Sequence, residues 1–267
     1  MQKLREKYHY PRILLRELVK TDFKLRYQGS TLGYLWSLLR PLFMFTILYL
    51  VFVKFLKINN KVEHPAVYLL LGIVLWNYFV EVTTGSITAI VGKGDLMRKI
   101  NFPKYVIILA GSASALINLG LNFIVIAIFM FINHVDLTVY ALLIIPLVLQ
   151  LFILSLGVAF WLSALFVKLR DVIYIWDVVT QAGFYLTPVL YLITLLPDRL
   201  ARLSVLNPMA QIIQDARYGL VTKQSATMAS YWENALVWLI PILLCLIIFA
   251  TGALYFRSQS KKFAEEV

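Results

Sequence analysis

Unbroken runs of apolar residues, several of them long enough to cross a lipid bilayer as a helix, constrain this chain more than any other feature. A hydrocarbon core about 30 Å thick needs roughly 20 apolar residues in a helix. Continuous runs of Leu, Ile, Val and Phe are typical of helices, whereas strands of a membrane barrel alternate every second residue. The predicted fold is therefore all-α, a polytopic membrane protein with six spans at residues 35–55, 66–89, 106–132, 139–167, 172–196 and 235–256.

The composition excludes an ordinary water-soluble domain. The chain is 61% apolar and 15% charged, whereas soluble domains are about 45 to 50% apolar and about 25% charged. We therefore relate the net charge of +11 to a membrane surface and not to the binding of nucleic acid. The single cysteine, Cys245, excludes an intrachain disulfide, and the three scattered histidines lack the spacing of a metal site.

The distribution of basic residues predicts the orientation. With six spans, 18 of the 25 Lys and Arg residues fall on the side of the two termini, and basic residues favour the cytoplasm. No cleavable signal peptide is expected, because the first long apolar run follows a strongly basic segment. We predict one transmembrane domain over 1–267, with the spans in 35–256, a cytoplasmic tail at 257–267 and both termini in the cytoplasm.

Two segments outside the spans also carry a pattern. At about 11–30, basic residues recur every four positions while leucines gather on another face, which predicts an amphipathic helix at the membrane interface or, alternatively, a solvated helix beside the membrane. Residues 197–234 mix short apolar pieces with the breaks Asn207-Pro208 and Tyr218-Gly219. This stretch is too interrupted to span, and we predict short re-entrant helices between spans five and six.

The sequence lacks the phosphate-binding motif of an ATP-hydrolysing enzyme. No phosphate-binding Gly-x-x-x-x-Gly-Lys-Ser/Thr loop occurs, and the string Gly92-Lys93-Gly94 has the wrong spacing. We therefore expect no ATP hydrolysis by this chain. Glu81 and Asp177 are the acidic residues inside predicted spans, where an ionisable group serves either a proton relay or structural pairing.

Five short strings, taken in order, point to a known family. They are RYQGSTLGYLWS at 26–37 (closing on RPL at 40–42), LMRKINFPK at 96–104, RDV at 170–172, FYLTPV at 184–189 and LNP at 206–208. In this order the chain resembles the polysaccharide-exporting ABC transporter permeases of the type-2 exporter class, which include the O-antigen, capsule and teichoic-acid exporters.

The resemblance implies the following assembly. A homodimer of six-span subunits pairs with two copies of a separate nucleotide-binding ATPase subunit and moves a lipid-linked polysaccharide outward across the bacterial cytoplasmic (inner) membrane. ATP and magnesium then bind the partner subunit, and this chain needs no cofactor and no nucleic acid. The alternatives are a type-2 ABC exporter of a drug or lipid and a cell-envelope membrane glycosyltransferase.

The resemblance also implies roles for three groups of residues. The substrate path includes aromatic rings that would hold a sugar polymer weakly, although belt or core packing explains any single ring equally well: Tyr34, Trp36, Phe43, Tyr49, Phe184, Tyr185 and Tyr191. The ATPase-coupling segment is Leu96, Met97, Arg98, Lys99, Ile100, Asn101, Phe102 and Pro103. The interface helix and the approach to span one contribute Arg16, Lys20, Lys24, Arg26, Tyr27, Leu32 and Gly33.

Within the coupling segment, two kinds of contact are compatible with the sequence. The basic residues would meet anionic lipid headgroups, or the apolar residues Ile100 and Phe102 would occupy a cleft on the ATPase partner. Because headgroup attraction requires only charge, the apolar residues favour the partner.

Overall fold

The computed structural model describes residues 13–22, 24, 33, 35–56, 62–100, 102–260 and 262–263. The regular structure in these ranges is helical, which confirms the predicted fold class. The helices are α1 (13–22), α2 (Leu35–Tyr49, continued as a π-helix at Leu50–Phe55), α3 (Pro65–Ile87), α4 (Gly94–Lys99), α5 (Tyr105–Ile132), α6 (Ile144–Lys168), α7 (Val172–Leu186), α8 (Asp198–Leu206), α9 (Pro208–Leu220), α10 (Met228–Tyr231) and α11 (Leu239–Gln259). The 3₁₀ turns Val139–Leu143 and Ala235–Trp238 lead into α6 and α11.

Five helices in the described part of the chain are long and apolar enough to cross a membrane: Leu38–Phe55, Pro65–Ile87, Tyr105–Ile132, Val139–Lys168 and Ala235–Gln259. They match five of the six predicted spans.

The predicted fifth span differs from the other five. It was expected to run to residue 196, but α7 ends at Leu186 after 15 residues, and so covers only about 22 Å at 1.5 Å per residue. The break follows from the Thr187-Pro188 pair, because proline lacks an N–H and disfavours helix at the residue before it. Beyond it the backbone is irregular except for a 3₁₀ turn at Ile193–Leu195.

Helix α3 lies at the centre of the bundle. It packs against α2, α5, α6, α7 and α9, and its apolar residues are spread around its circumference, as expected for a helix that has neighbours on most sides. In the apolar stretch of α3 that is long enough to span, 78% of the residues are buried. The corresponding shares are only 11% for α2 and 17% for α11. The two latter helices therefore leave wide apolar surfaces for lipid or for another chain.

Helices α6 and α11 approach most closely at two glycines. A Cβ atom on Gly157 would lie 2.6 Å from the Cα atom of Phe249, and a Cβ atom on Gly252 would collide with the backbone of Gly157. Small residues at a crossing allow two backbones to come together inside a membrane. This contact fixes the last span against the fourth.

Alternation of the spans places the connecting segments at two ends of the bundle. The α4 end carries α1, α4, the α6–α7 connection and the end of α11. The α9 end carries the segment before α3, the α5–α6 connection, and α8 to α10. The prediction of short helices between spans five and six is confirmed, and ten residues of α9 are buried.

Candidate functional site

At the α4 end, helix α1 is amphipathic. Arg16 and Lys20 of α1 are exposed, as is Lys24 beyond its end, whereas Leu14 and Leu18 pack against the apolar core of the bundle. The predicted amphipathic helix is thus confirmed over 13–22, and its apolar side rests on the protein.

Two polar contacts fix α1 to the bundle. The Lys93 ammonium lies 2.9 Å from one carboxylate oxygen of Asp22 and 3.1 Å from the other. The Ser114 hydroxyl of α5 donates to the Val19 carbonyl oxygen over 3.4 Å. Because Lys93 ends the 3₁₀ turn that leads directly into α4, the ion pair connects the predicted interface helix to the predicted coupling segment.

The coupling segment turns its two most buried side chains toward its own protein. Met97 and Phe102 are 5% and 4% exposed and belong to the apolar core, and the Lys104 ammonium lies 4.9 Å from the centre of the Phe102 ring. Phe102 is therefore not available to a cleft on a partner, contrary to the sequence-based argument. Leu96 and Ile100 are half-buried, whereas Arg98, Lys99 and Pro103 are exposed.

Some of the predicted site residues lie outside the described residues: Arg26, Tyr27, Leu32, Tyr34 and Asn101. Gly33 is described and has a φ angle of +48°, a left-handed conformation that favours glycine. The Gly33 carbonyl oxygen accepts from the Trp36 amide over 3.3 Å, so this glycine turns the chain into α2.

The aromatic residues of the predicted substrate path fall into two groups. Trp36 and Phe43 on α2 and Tyr185 on α7 are 43%, 58% and 67% exposed, so their rings point away from the subunit.

Tyr49, Phe184 and Tyr191 are half-buried. The Phe184 ring lies 6.0 Å from the Trp76 ring, and the Tyr191 hydroxyl donates to the Leu186 carbonyl oxygen. The second group therefore has packing roles within this chain, and the first is free to meet something outside it.

Helix α7 presents an unusually bare apolar face. Only Val172 and Thr180 are buried along its length. Its large exposed side chains are Tyr174, Ile175, Val178, Val179, Tyr185 and Leu186. A face of this kind meets either lipid or a second protein surface.

At the α9 end, Arg217 is fully buried. Its Nε donates to the Tyr68 carbonyl oxygen over 3.1 Å, and its two Nη atoms donate to the carbonyl oxygens of Pro188 and Val189 over 2.7 and 2.6 Å. Its guanidinium carbon also lies 3.7 Å from the centre of the Tyr68 ring. One side chain thus joins α9 to α3 and to the irregular segment after α7.

The local sequence explains how α9 places this arginine. The Asn207 side chain accepts from the Met209 amide over 3.0 Å, and Pro208 occupies the first helical position, a combination that begins helices efficiently. Arg217, ten residues after Asn207, faces the Pro188 and Val189 carbonyl oxygens, which lie in the irregular backbone after α7. Sequence reasoning missed Arg217, although an arginine among Ile212, Ile213 and other apolar residues was a detectable signal.

The acidic residues inside the spans have local partners. The Asn118 amide donates to Glu81 over 2.8 Å, which favours structural pairing over a relay. Asp177 is exposed on α7 and accepts from Gln181, one turn later on the same helix.

Comparison with known proteins assigns this architecture to a family. Residues 13–221 match the model of the ABC-2 type transporter. An O-antigen export system permease protein RfbA of Klebsiella pneumoniae is 30% identical over 207 residues, which is 75% of this chain and 77% of that protein. A second from the same organism is 28% identical over the same shares. The O-antigen export system permease protein RfbA of Myxococcus xanthus is 26% identical over 270 residues, 99% of this chain and 98% of that protein. The chain therefore belongs to the ABC-2 type transporter family of membrane subunits.

Proposed function

We propose that this chain is the permease subunit of an ATP-driven exporter that moves a lipid-linked polysaccharide of the O-antigen type outward across the bacterial cytoplasmic membrane. The observation that carries the proposal is the match over residues 13–221, together with three relatives that are all named for O-antigen export. The basic asymmetry of the sequence supports a cytoplasmic location for the α4 end and both termini.

We propose that a separate ATPase subunit, which binds ATP and magnesium, drives the conformational change of this chain. Two copies would dock at the α4 end, against α1 and the coupling segment. The exposed side of this segment carries Lys99 and Arg98, so we assign docking to basic side chains instead of the buried Phe102. The ion pair between Asp22 and Lys93 then makes α1 and α4 move together.

The proposed homodimer uses the bare face of α7 and the exposed part of α2. A pore between two protomers would place Trp36, Phe43 and Tyr185 where a sugar chain passes. Weak contacts between C–H groups and ring faces would guide the glycan without trapping it.

A co-purification and transport assay tests the proposal. The full chain is co-expressed with an ATPase subunit that carries a phosphate-binding loop, and the complex is reconstituted into liposomes. We expect ATP-dependent movement of a lipid-linked glycan, with no ATP hydrolysis by this chain alone.

Two matched variants test whether the ATPase subunit docks at the basic side chains of the coupling segment. Lys99→Glu should weaken ATPase association about tenfold or more, because a like charge facing an interface is costly. Lys223→Glu, at an exposed lysine of the α9 end, should leave association unchanged. Transport of a drug or free lipid without glycan, or an unchanged Lys99→Glu complex, would contradict the respective part of the proposal.

A further inference from the structure

A cavity of about 570 Å³ opens between α6, α9 and α11 at the α9 end. Its volume falls in the range of roughly 300 to 1,000 Å³ that is usual for small-ligand sites. Leu147 and Ile153 of α6 and Ile242 and Leu246 of α11 line its walls, and Met228 of α10 closes it. Leu246 is 47% exposed, so the cavity opens on the outer apolar surface of the bundle.

The inner wall of the cavity is polar. Gln150 donates its side-chain amide to the Gln211 carbonyl oxygen over 2.7 Å, and Gln211 donates in turn to one Asp215 carboxylate oxygen over 2.6 Å. The Gln150 amide also lies 3.6 Å from the Cys245 sulfur. This chain of hydrogen bonds fixes the direction of the Asp215 carboxylate at the cavity.

In the described part of the chain, no cation lies beside the Asp215 carboxylate. Among the residues that the structure describes, no Lys, Arg or His nitrogen lies within 4.0 Å of this carboxylate. Arg217 is two residues away and turns to the other face of α9, where its donors are bound to carbonyl oxygens. An ionised carboxylate in a membrane-embedded cavity is costly unless a cation or proton accompanies it.

The depth of Asp215 suits a lipid headgroup. The start of the fourth span lies beside the end of α9, since the Tyr140 ring is 5.6 Å from the Tyr218 ring. Gln150 and Gln211 also meet, so α9 runs antiparallel to α6. Asp215 is then about one turn, or 5 Å, deeper than this level. Since the fourth candidate span begins at Val139, this depth corresponds to the region just inside the end of that span, where a headgroup would be expected.

We propose that this cavity binds a membrane lipid with a primary ammonium headgroup, from the leaflet at the α9 end, with the ammonium paired to Asp215 and an acyl chain along the apolar walls. A primary ammonium offers three compact donors to a carboxylate, and a quaternary ammonium offers none. A lipid with a purely anionic headgroup meets the like charge of Asp215. The site is separate from the exposed face of α7, and it does not depend on the transported cargo.

Native mass spectrometry of the full-length protein tests the proposal. The purified chain is titrated with phosphatidylethanolamine, phosphatidylcholine and phosphatidylglycerol of identical acyl chains. We expect phosphatidylethanolamine to bind about tenfold more tightly than phosphatidylcholine, as charge-assisted hydrogen bonds predict. Asp215→Asn should remove this preference, and Asp136→Asn, at an exposed aspartate of the same end, should keep it.

A second variant fills the cavity and leaves the Asp215 carboxylate unchanged. Leu246→Trp fills the opening from a half-exposed position and should lower binding of phosphatidylethanolamine, while the helical circular dichroism stays unchanged. If Asp215→Asn does not fold, the wild-type lipid ratio and Leu246→Trp decide. Equal binding of the ethanolamine and choline lipids, a preference for phosphatidylglycerol, or a preference that survives Asp215→Asn would overturn the proposal.

Discussion

The α9 end and the α4 end of the bundle are fixed by different kinds of contact. At the α9 end, the fully buried Arg217 binds three carbonyl oxygens. Glu63, which precedes α3, accepts from Thr222 and Gln224 after α9. At the α4 end, α1 rests on the bundle through leucine contacts and the ion pair of Asp22 and Lys93, whose side chains are each 24% exposed.

This difference in contacts predicts which end of the bundle is able to move. A buried guanidinium that donates to backbone oxygens fixes distance and direction, and it cannot shift without leaving acceptors unpaired. Apolar contacts are non-directional, and a partly exposed ion pair contributes little to stability. We therefore expect the α4 end to move as a unit on a framework that the α9 end keeps rigid.

The largest expected effect comes from removing the buried guanidinium. Arg217→Met leaves three carbonyl oxygens without their donor, at about 1 to 3 kcal/mol for each buried group, so the chain should lose about 3 kcal/mol or more. Thermal unfolding of the detergent-purified protein, followed by circular dichroism, measures this. Arg199→Met, at an exposed position of α8, serves as the control, and equal transitions for both variants would show that the α9 end does not depend on Arg217.

A smaller change at the same contact should have the next largest effect. A Cβ atom on Gly72 would lie 2.5 Å from the Arg217 Nη2 atom and 2.9 Å from the Val189 carbonyl oxygen. Gly72→Ala should therefore destabilise by about 1 to 3 kcal/mol, as overpacking does.

The control for Gly72→Ala lies on the same helix. A Cβ atom on Gly85 meets nothing within 4 Å, so Gly85→Ala should stabilise by about 0.5 to 1 kcal/mol through helix propensity alone. The two alanine variants should shift the unfolding midpoint in opposite directions, and shifts of the same sign would remove the distinction between them.

The ion pair at the α4 end should matter little for stability and much for coupling. Asp22→Asn should cost at most about 1 kcal/mol, yet it should lower the amount of glycan exported per ATP hydrolysed. The exchange of Asp22→Lys with Lys93→Asp should restore the ratio. An unchanged ratio in Asp22→Asn would mean that α1 and α4 act independently.

The smallest effect on stability is expected on the exposed rings. Tyr185→Ala and Phe43→Ala should change the unfolding free energy by about 0.5 kcal/mol or less, as is usual at exposed positions. Glycan export should nevertheless fall. Normal export from both variants would assign these rings to contact with lipid.

The break in the fifth span illustrates what the sequence was able to predict. The predicted fifth span ran through Thr187-Pro188 to residue 196, although proline interrupts helical bonding in its immediate surroundings and the freed backbone groups must line a cavity or meet a neighbour. The identity of the neighbour was beyond reach. Arg217 is 29 residues from Pro188 and 149 residues from Tyr68, and a local pattern carries no information about contacts over such separations.

Phe102 illustrates the complementary failure. An apolar residue among basic ones indicates that a side chain is buried, but it does not distinguish the protein's own core from a partner's surface. Only the packing of the whole bundle places Phe102 inside. The roles of the aromatic path and of Lys99 stay predictions, since they depend on chains other than this one.

The contact between Arg217 and the segment after α7 also determines when, during synthesis, this segment can reach its final position. The Pro188 and Val189 carbonyls obtain their donors from a residue 29 and 28 positions further along the chain. A ribosome makes the acceptors first, so a nascent chain carries both oxygens unpaired until Arg217 has emerged. In hydrocarbon such groups are not tolerated, and until then this segment has to stay in contact with water or with the insertion machinery. The short fifth span thus completes its placement only after α9 has been made.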